Sequence, residues 1–193
     1  MAAVNPLTVM PSMAQDLARV ESRLVESATT QDPTLTEIAT HLIAAGGKRV
    51  RPGFTIAAAA TAMTLDAPAS EEAVTGGVAV ELVHLGSLYH DDVMDEAEVR
   101  RTVDSVNARW GNLRAILAGD FLLARASELA ASLGVEVAGL LAAAMNRGPS
   151  RVPRGWSSGF ERCAAQSRAG RGRAQRCAPP GRGGSGLSCW FSS

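Results

Sequence analysis

Three aspartates within five residues, Asp91, Asp92 and Asp95, are the side chains of this sequence best suited to chemistry. On an α-helix, Asp91 and Asp95 lie one turn apart on the same face, and Asp92 is turned about 100° away. Like charges at this spacing repel, and a bound cation is the usual relief. Oxygen ligands without a cysteine or a pair of histidines favour Mg²⁺ over zinc or copper. The aspartates therefore predict a magnesium site.

The residues before the aspartates predict one long helix over 70–95. Ser70 is a good N-cap, and two glutamates follow it in the first turn, where the helix dipole favours anions. The segment is apolar around most of its circumference, which is typical of a buried helix. At about 100° per residue, His84 falls on the stripe that carries Asp91 and Asp95. We expect this stripe to line a cavity.

Basic residues lie on both sides of this helix in the sequence. Arg100 and Arg101 follow the aspartates, and the segment GGKRVRP at 46–52 carries Lys48 and Arg51. Carboxylates that hold Mg²⁺, together with several arginines and lysines, are suited to a diphosphate, because the metal bridges carboxylate and phosphate while guanidinium groups bind the remaining oxygens. The pattern predicts a diphosphate site.

Hydrophobic periodicity predicts an all-α chain with little or no strand. The helices are expected near 13–28, 34–45, 52–65, 70–95, 113–132 and 135–145. Gly46 and Gly47 are expected to end the second helix with a left-handed residue, and Pro52 to begin the third. Asn112 is a candidate cap for the fifth.

The motifs GGKRVRP, ELVHLGSLYHDDVMD, EVRR, SVNARWGN and ILAGDFLLARA follow one another between about 46 and 132. In this order they resemble the trans-isoprenyl diphosphate synthases, or polyprenyl synthetases. The resemblance implies an all-α bundle of the isoprenoid-synthase type around a central cavity, with two aspartate-rich motifs facing each other across its mouth. It also implies a prenyltransferase that condenses an allylic diphosphate with isopentenyl diphosphate, with Mg²⁺ as cofactor.

The resemblance also implies roles for single residues. Asp91 and Asp95 become the Mg²⁺ ligands that hold the allylic diphosphate, with Asp92 as a supporting member of the metal site, and Arg100 contacts the same diphosphate. The positions that match those for the diphosphate of isopentenyl diphosphate are Lys48, Arg51, His84 and Arg101. The implied reaction ionises the allylic substrate, so stabilisation of the leaving diphosphate and exclusion of water matter more than acid–base groups.

Each residue also has a purely structural interpretation. The aspartates can form a solvated helix end beside Arg100 and Arg101, and Lys48 and Arg51 can serve the dipole of the preceding helix. Taken alone, His84 would be a core histidine. The order of the motifs favours the functional interpretation of these residues.

Six further residues carry expectations of their own. Arg49 is expected to be surface charge and His90 to be structural, while Asp120 needs a partner if it is buried. In the family, large residues four and five positions before the aspartates block the cavity floor, and here these positions are Ser87 and Gly86. Small residues there imply a longer polyprenyl product, such as a quinone side chain. The inference of a longer product would be weaker only if the Tyr89 side chain pointed into the cavity.

The composition changes sharply after about residue 145. Residues 146–193 are rich in Arg, Gly, Ser and Pro and have no helical periodicity, so we expect a disordered tail after a domain at 1–145. Glu161 is the only acidic residue after Glu136, so the second aspartate-rich motif of the family is missing. An out-of-frame translation is favoured over a genuine basic tail, and binding of DNA or RNA is not expected.

Two functions stay open. The first is a polyprenyl diphosphate synthase whose chain is truncated and inactive, and the second is a non-catalytic, diphosphate-binding or partner subunit of a complete synthase. The N-terminus lacks a signal-peptide pattern, and no apolar run approaches the roughly 18 residues of a membrane span. A cytoplasmic protein is expected, and the resemblance allows a homodimer.

Overall fold

A computed structural model describes residues 10–62 and 67–146. These residues form an all-α fold. The helices are α1 (Met13–Ala28), α2 (Pro33–Ala44), α3 (Val50–Ala60), α4 (Glu71–Met94), α5 (Val106–Trp110), α6 (Asn112–Ser132) and α7 (Val135–Asn146). One short hairpin, β1 (Val99–Arg100) and β2 (Val103–Asp104), separates α4 from α5. None of the helices in these ranges is long and apolar enough to span a membrane.

The six helices expected from the sequence are all present, with small shifts at their ends. Helix α3 begins at Val50, so the prediction that Pro52 begins it was wrong; proline is tolerated anywhere in a first turn, where its missing N–H leaves no hydrogen bond unmade. Gly111, and not Asn112, occupies the N-cap of α6. The predicted tail, apart from the helical Asn146, and the predicted end of the third helix lie outside the described residues.

The ends of α2 and α4 follow the expected chemistry. The Ser70 side chain accepts a hydrogen bond from the backbone N–H of Ala73 and caps α4. The connection after α2 passes through Gly46 with φ of +80°, a left-handed value that favours glycine. These two ends fix where α4 starts and where the basic 46–52 segment leaves α2.

Helix α4 is the central element, and it packs against α6, α3 and α1. Its contact with α6 is unusually close at Gly86. A Cβ atom added there would lie 3.0 Å from the carbonyl oxygen of Gly119 and 3.0 Å from Cγ of Leu123. Glycine at this position therefore allows the two helix backbones to approach.

The hydrophobic core is built from α1 to α6, with large buried side chains such as Leu24, Leu42, Leu82 and Leu122. Helix α7 packs against α6 but has no buried residue. The six-helix core is thus what holds the end of α4 in place.

Candidate active site

The acidic end of α4 comprises Asp91, Asp92 and Asp95. Its negative charges interact unfavourably with the helix dipole. Carboxylates are disfavoured at a helix C-terminus, where the dipole is negative, and the last turn of α4 contains no basic residue. Asp91 and Asp95 are both exposed. Two exposed carboxylates one turn apart at a negative helix end create a strong preference for a cation.

Asp92 differs from its two neighbours because it is completely buried. Its Oδ1 atom accepts a hydrogen bond of 2.6 Å from Nε of Arg100 and also contacts Nη2 of the same guanidinium. Burial raises the pKa of Asp92, and the hydrogen bond from Arg100 opposes that rise. Asp92 thereby joins the β1–β2 hairpin to α4.

The oxygen atoms of the acidic end fit Mg²⁺ as part of a larger ligand set. The described residues contain no group of three or more His, Cys, Asp or Glu side chains arranged to hold a metal ion. The Oδ2 atom of Asp92 is buried without a hydrogen-bond partner in the same residues. Mg²⁺ normally takes one or two carboxylates and completes its octahedron with water or phosphate oxygens, which agrees with what this helix end offers.

Arg101 lies at the tip of the hairpin and closes the end of α2. Its Nη1 atom donates to the carbonyl oxygens of Leu42, at 3.1 Å, and Gly46. Arg101 and Thr102 both have positive φ, 52° and 69°, in the two-residue turn between the strands. Such a turn ordinarily carries asparagine or glycine, and non-glycine residues in this conformation concentrate at functional sites.

Arg49 corrects a prediction from the sequence. It was expected to be surface charge, but only 4% of the residue is exposed. Its guanidinium pairs with Glu21 and Glu81 and donates to the Ile43 carbonyl oxygen. A buried guanidinium needs such partners, because an unpaired one would lose its hydration without compensation.

His84 lies where the basic residues of the site converge. Burial first, and then the positive charges of Arg51 and Arg101, lower its pKa to about 4, while the charge of Asp91 acts in the opposite direction. The charge of Arg100 also lowers it. At neutral pH the imidazole is therefore uncharged, and positive charges from α3 and the hairpin act on it.

The structure thus brings together most of the residues singled out in the sequence. Arg51, Arg100 and Arg101, here called the basic cluster, act on His84 together with Asp91. Lys48, in the segment between α2 and α3, and Arg51, in the first turn of α3, are both exposed. Sequence reasoning missed Glu81 and Arg49, although an acid in a helix that is apolar almost all round is a signal that a buried partner exists.

The residues before the aspartates have structural contacts of their own. Gly86 meets α6, as described above, and the Ser87 hydroxyl donates to the carbonyl oxygen of His84 at 2.8 Å. The buried Tyr89 hydroxyl donates towards the carbonyl oxygens of Ile38, at 2.7 Å, and Ala39. Tyr89 therefore points towards α2, and the inference of a longer product stays a prediction.

The pair of His90 and Asp120 is structural. Nε2 of His90 lies 3.3 Å from Oδ1 of Asp120 and 3.3 Å from the Ile116 carbonyl oxygen, so it links α4 to α6. Asp120 is exposed and does not require a buried partner.

Two concavities in the described residues lie away from the acidic end. The larger, about 420 Å³, is open and is lined by residues of α1 and the start of α4, including Arg19, Arg23 and Glu71. The smaller, about 10 Å³, lies between α3 and the start of α4. A cavity along the His84–Asp91 stripe stays a prediction.

Comparison with known proteins places this fold in a class. The fold is that of the isoprenyl synthases: a polyprenyl synthase from Caulobacter crescentus, solved with calcium and isoprenyl diphosphate, superposes with a TM-score of 0.63 and 36% identity over 68% of this chain and 39% of that one. A family model for polyprenyl synthetase matches residues 32–148. The chain belongs to the polyprenyl synthetase family.

Its relatives include two curated prenyl synthases. A nonaprenyl diphosphate synthase from Mycobacterium tuberculosis is 45% identical over 148 residues, which cover 75% of this chain and 43% of the relative. A heptaprenyl diphosphate synthase component 2 from Geobacillus stearothermophilus is 41% identical over 63% of this chain and 37% of the relative. The chain therefore spans less than half the length of these relatives.

Proposed function

We propose that this chain binds the substrates of a polyprenyl diphosphate synthase, which condenses an allylic diphosphate with isopentenyl diphosphate. The observation that carries the proposal is the convergence of the basic cluster on a neutral His84, next to exposed carboxylates on the same helix. Cations that repel one another at one place gain most from an anion with several charged oxygens. A diphosphate is such an anion.

The acidic end takes the allylic diphosphate. Asp91 and Asp95 hold Mg²⁺, which neutralises the negative charge that develops on the departing diphosphate. Asp92 belongs to the same metal site and also orients Arg100, whose remaining N–H groups contact the phosphate oxygens. The calcium in the Caulobacter relative supports the use of a divalent cation, and its identity as Mg²⁺ and its place at the acidic end are part of the proposal.

The basic side takes isopentenyl diphosphate. Lys48 reaches its diphosphate from the segment between α2 and α3, Arg51 from the first turn of α3, and Arg101 from the hairpin. His84 contributes one N–H donor, because a neutral imidazole has one donor and one acceptor. The two diphosphates thereby lie next to each other along the face of α4 that carries His84, Asp91 and Asp95.

A partner subunit is the second candidate. The Geobacillus relative is by name a component of its synthase, and the present chain spans less than half of that relative. In this version the chain binds diphosphates without turnover, alone or against a complete synthase. As a polyprenyl diphosphate synthase, the first candidate, the protein is proposed to be cytoplasmic and to form a homodimer.

Binding of isopentenyl diphosphate tests the proposal. Calorimetric titration of the full chain is expected to give at least tenfold weaker binding for Arg51→Ala than for the wild type. The matched control is Arg23→Ala, which removes the same charge beside Glu71, about 30 Å along α4 from Asp91. Equal affinity for Arg51→Ala and the wild type would contradict the assignment.

A further inference from the structure

Two guanidinium groups lie close together beside Gly47. A Cβ atom added to Gly47 would lie 3.0 Å from Nη1 of Arg101 and 3.1 Å from Nη1 of Arg49. Burial first, and then the charge of Arg49, lower the pKa of Arg101. Two positive groups this near each other repel, and a nearby anion can offset the repulsion.

That anion is the carboxylate of Glu81. Glu81 lies on α4, three residues before His84, and only 2% of it is exposed. Its Oε1 atom accepts a hydrogen bond of 3.1 Å from Nη1 of Arg49 and lies 4.0 Å from Nη2 of Arg101. One buried oxygen thus attracts both guanidinium groups.

Arg49 extends the attachment to the segment that follows α2. Its backbone is left-handed, with φ of 45°, and its Nη2 atom also donates to the Ile43 carbonyl oxygen and to Glu21. The side chain therefore ties the last turn of α2 to α1 and α4, across 28 and 32 residues of sequence. The residues on either side of this fixed point are Lys48 and, one residue further, Arg51.

We propose that Glu81 and Arg49 are positioning residues for the diphosphate of isopentenyl diphosphate. Glu81 holds the Arg101 guanidinium against the end of α2 and, through Arg49, fixes the segment that presents Lys48 and Arg51. Neither residue touches the ligand. The inference rests on the proposed function for the identity of the ligand, and on the contacts above for the role of the two residues.

The direction in which the affinity for isopentenyl diphosphate changes in Glu81→Gln protein distinguishes a positioning role from a purely electrostatic effect. Replacing Glu81 by glutamine removes a negative charge near the site of an anionic ligand, so charge alone would tighten binding. Loss of positioning weakens it, because Arg49 and Arg101 then repel each other and Arg101 leaves the α2 carbonyl oxygens. The two effects have opposite directions.

The experiment is a calorimetric titration of full-length Glu81→Gln protein with isopentenyl diphosphate. We expect the dissociation constant to rise at least tenfold. The matched control, Glu71→Gln, makes the same change in charge about 15 Å along α4 from Glu81 and is expected to stay within twofold of the wild type. Affinity equal to or tighter than that of the wild type, in folded Glu81→Gln protein, would overturn the proposal.

A double variant and an NMR measurement test the role of Glu81 where the first titration gives no answer. If circular dichroism shows that Glu81→Gln does not fold, the double variant Arg49→Met with Glu81→Leu replaces the buried pair by apolar side chains, a change that proteins often tolerate. Its binding must also be at least tenfold weaker, and wild-type affinity would refute positioning.

If the wild type binds no isopentenyl diphosphate, the proposed function fails, and the role of Glu81 is decided without ligand. The Nε–Hε signal of Arg101 in ¹⁵N spectra, assigned with Arg101→Lys, must then shift in Glu81→Gln protein. An unchanged signal would overturn the proposal.

Discussion

His84 has the site's most informative protonation equilibrium. Its pKa in the folded chain is about 4, below the ordinary value of 6.5, because burial and nearby arginines disfavour the charged imidazole. Between these values the unfolded chain binds more protons than the folded chain, so His84 makes stability fall as the pH falls from 6.5 towards 4.

The stability of the wild type should therefore depend on pH differently from that of His84→Gln. From pH 7 to pH 4.5 the wild type should lose about 1–2 kcal/mol more unfolding free energy than His84→Gln, after allowance for partial exposure of the imidazole. Urea unfolding at the two pH values measures this difference. Parallel pH dependence in the two proteins would show that His84 is not held uncharged.

The pair of Asp92 and Arg100 leads to a second prediction. Arg100→Ala leaves the buried carboxylate without its cation, which should cost about 2–3 kcal/mol of stability because Arg100 is itself partly exposed. Arg23→Ala, which removes an exposed ion pair with Glu71, should cost less than about 1 kcal/mol. Denaturant unfolding of both variants gives the comparison, and similar costs would mean that Asp92 is not dependent on Arg100.

The contact between α4 and α6 governs how the acidic end is held. Gly86→Ala places a methyl group against the backbone of Gly119 and the Leu123 side chain, and we expect a loss of about 1–3 kcal/mol despite the better helix propensity of alanine. The control is Gly139→Ala in α7, where nothing lies within 4 Å, and a gain of about 0.5–1 kcal/mol is expected. Stabilisation by both substitutions in thermal unfolding would rule out the close contact.

The helices were largely predictable because their apolar residues repeat with helical spacing. The β1–β2 hairpin was not, since its turn is Arg101–Thr102 and lacks the asparagine or glycine that marks such turns. The short α5 also escaped prediction, as five residues carry too little periodicity.

Within the site, residue types and spacing were enough to select the aspartates and arginines, but not their partners. The burial of Arg49 depends on Glu21 and Glu81, which are 28 and 32 residues away in the sequence. The same holds for Asp92, whose neighbours in sequence suggested a metal site but did not indicate its contact with Arg100 in the fold. Tertiary packing decides such pairs, and local patterns do not contain them.

For the molecule as a whole, the distribution of acids limits the expected chemistry. No aspartate follows Asp120 in the 193 residues, and Glu161 is the only acid after Glu136. Family resemblance implies a second group of aspartates opposite the first, and in a protein of these 193 residues alone the leaving diphosphate would be neutralised from one side only. At about 1.4 kcal/mol per factor of ten, a deficit of several kcal/mol slows the reaction by several orders of magnitude.

We therefore predict no measurable chain elongation by this chain alone. Purified protein is incubated with labelled isopentenyl diphosphate, farnesyl or geranylgeranyl diphosphate, and Mg²⁺, and the products are extracted. Polyprenyl product at rates near one per second, on the order of an ordinary enzyme, would refute the prediction.

The central claim, that the acidic end of α4 binds a diphosphate through Mg²⁺, is tested most directly by calorimetry with a non-hydrolysable allylic diphosphate analogue. The wild type should bind the analogue when Mg²⁺ is present. It should bind the analogue without Mg²⁺, or Mg²⁺ without the analogue, only weakly, because two carboxylates supply only part of an octahedral ligand set. Asp91→Ala with Asp95→Ala should abolish the Mg²⁺-dependent binding. Unchanged binding in that double variant would contradict the account.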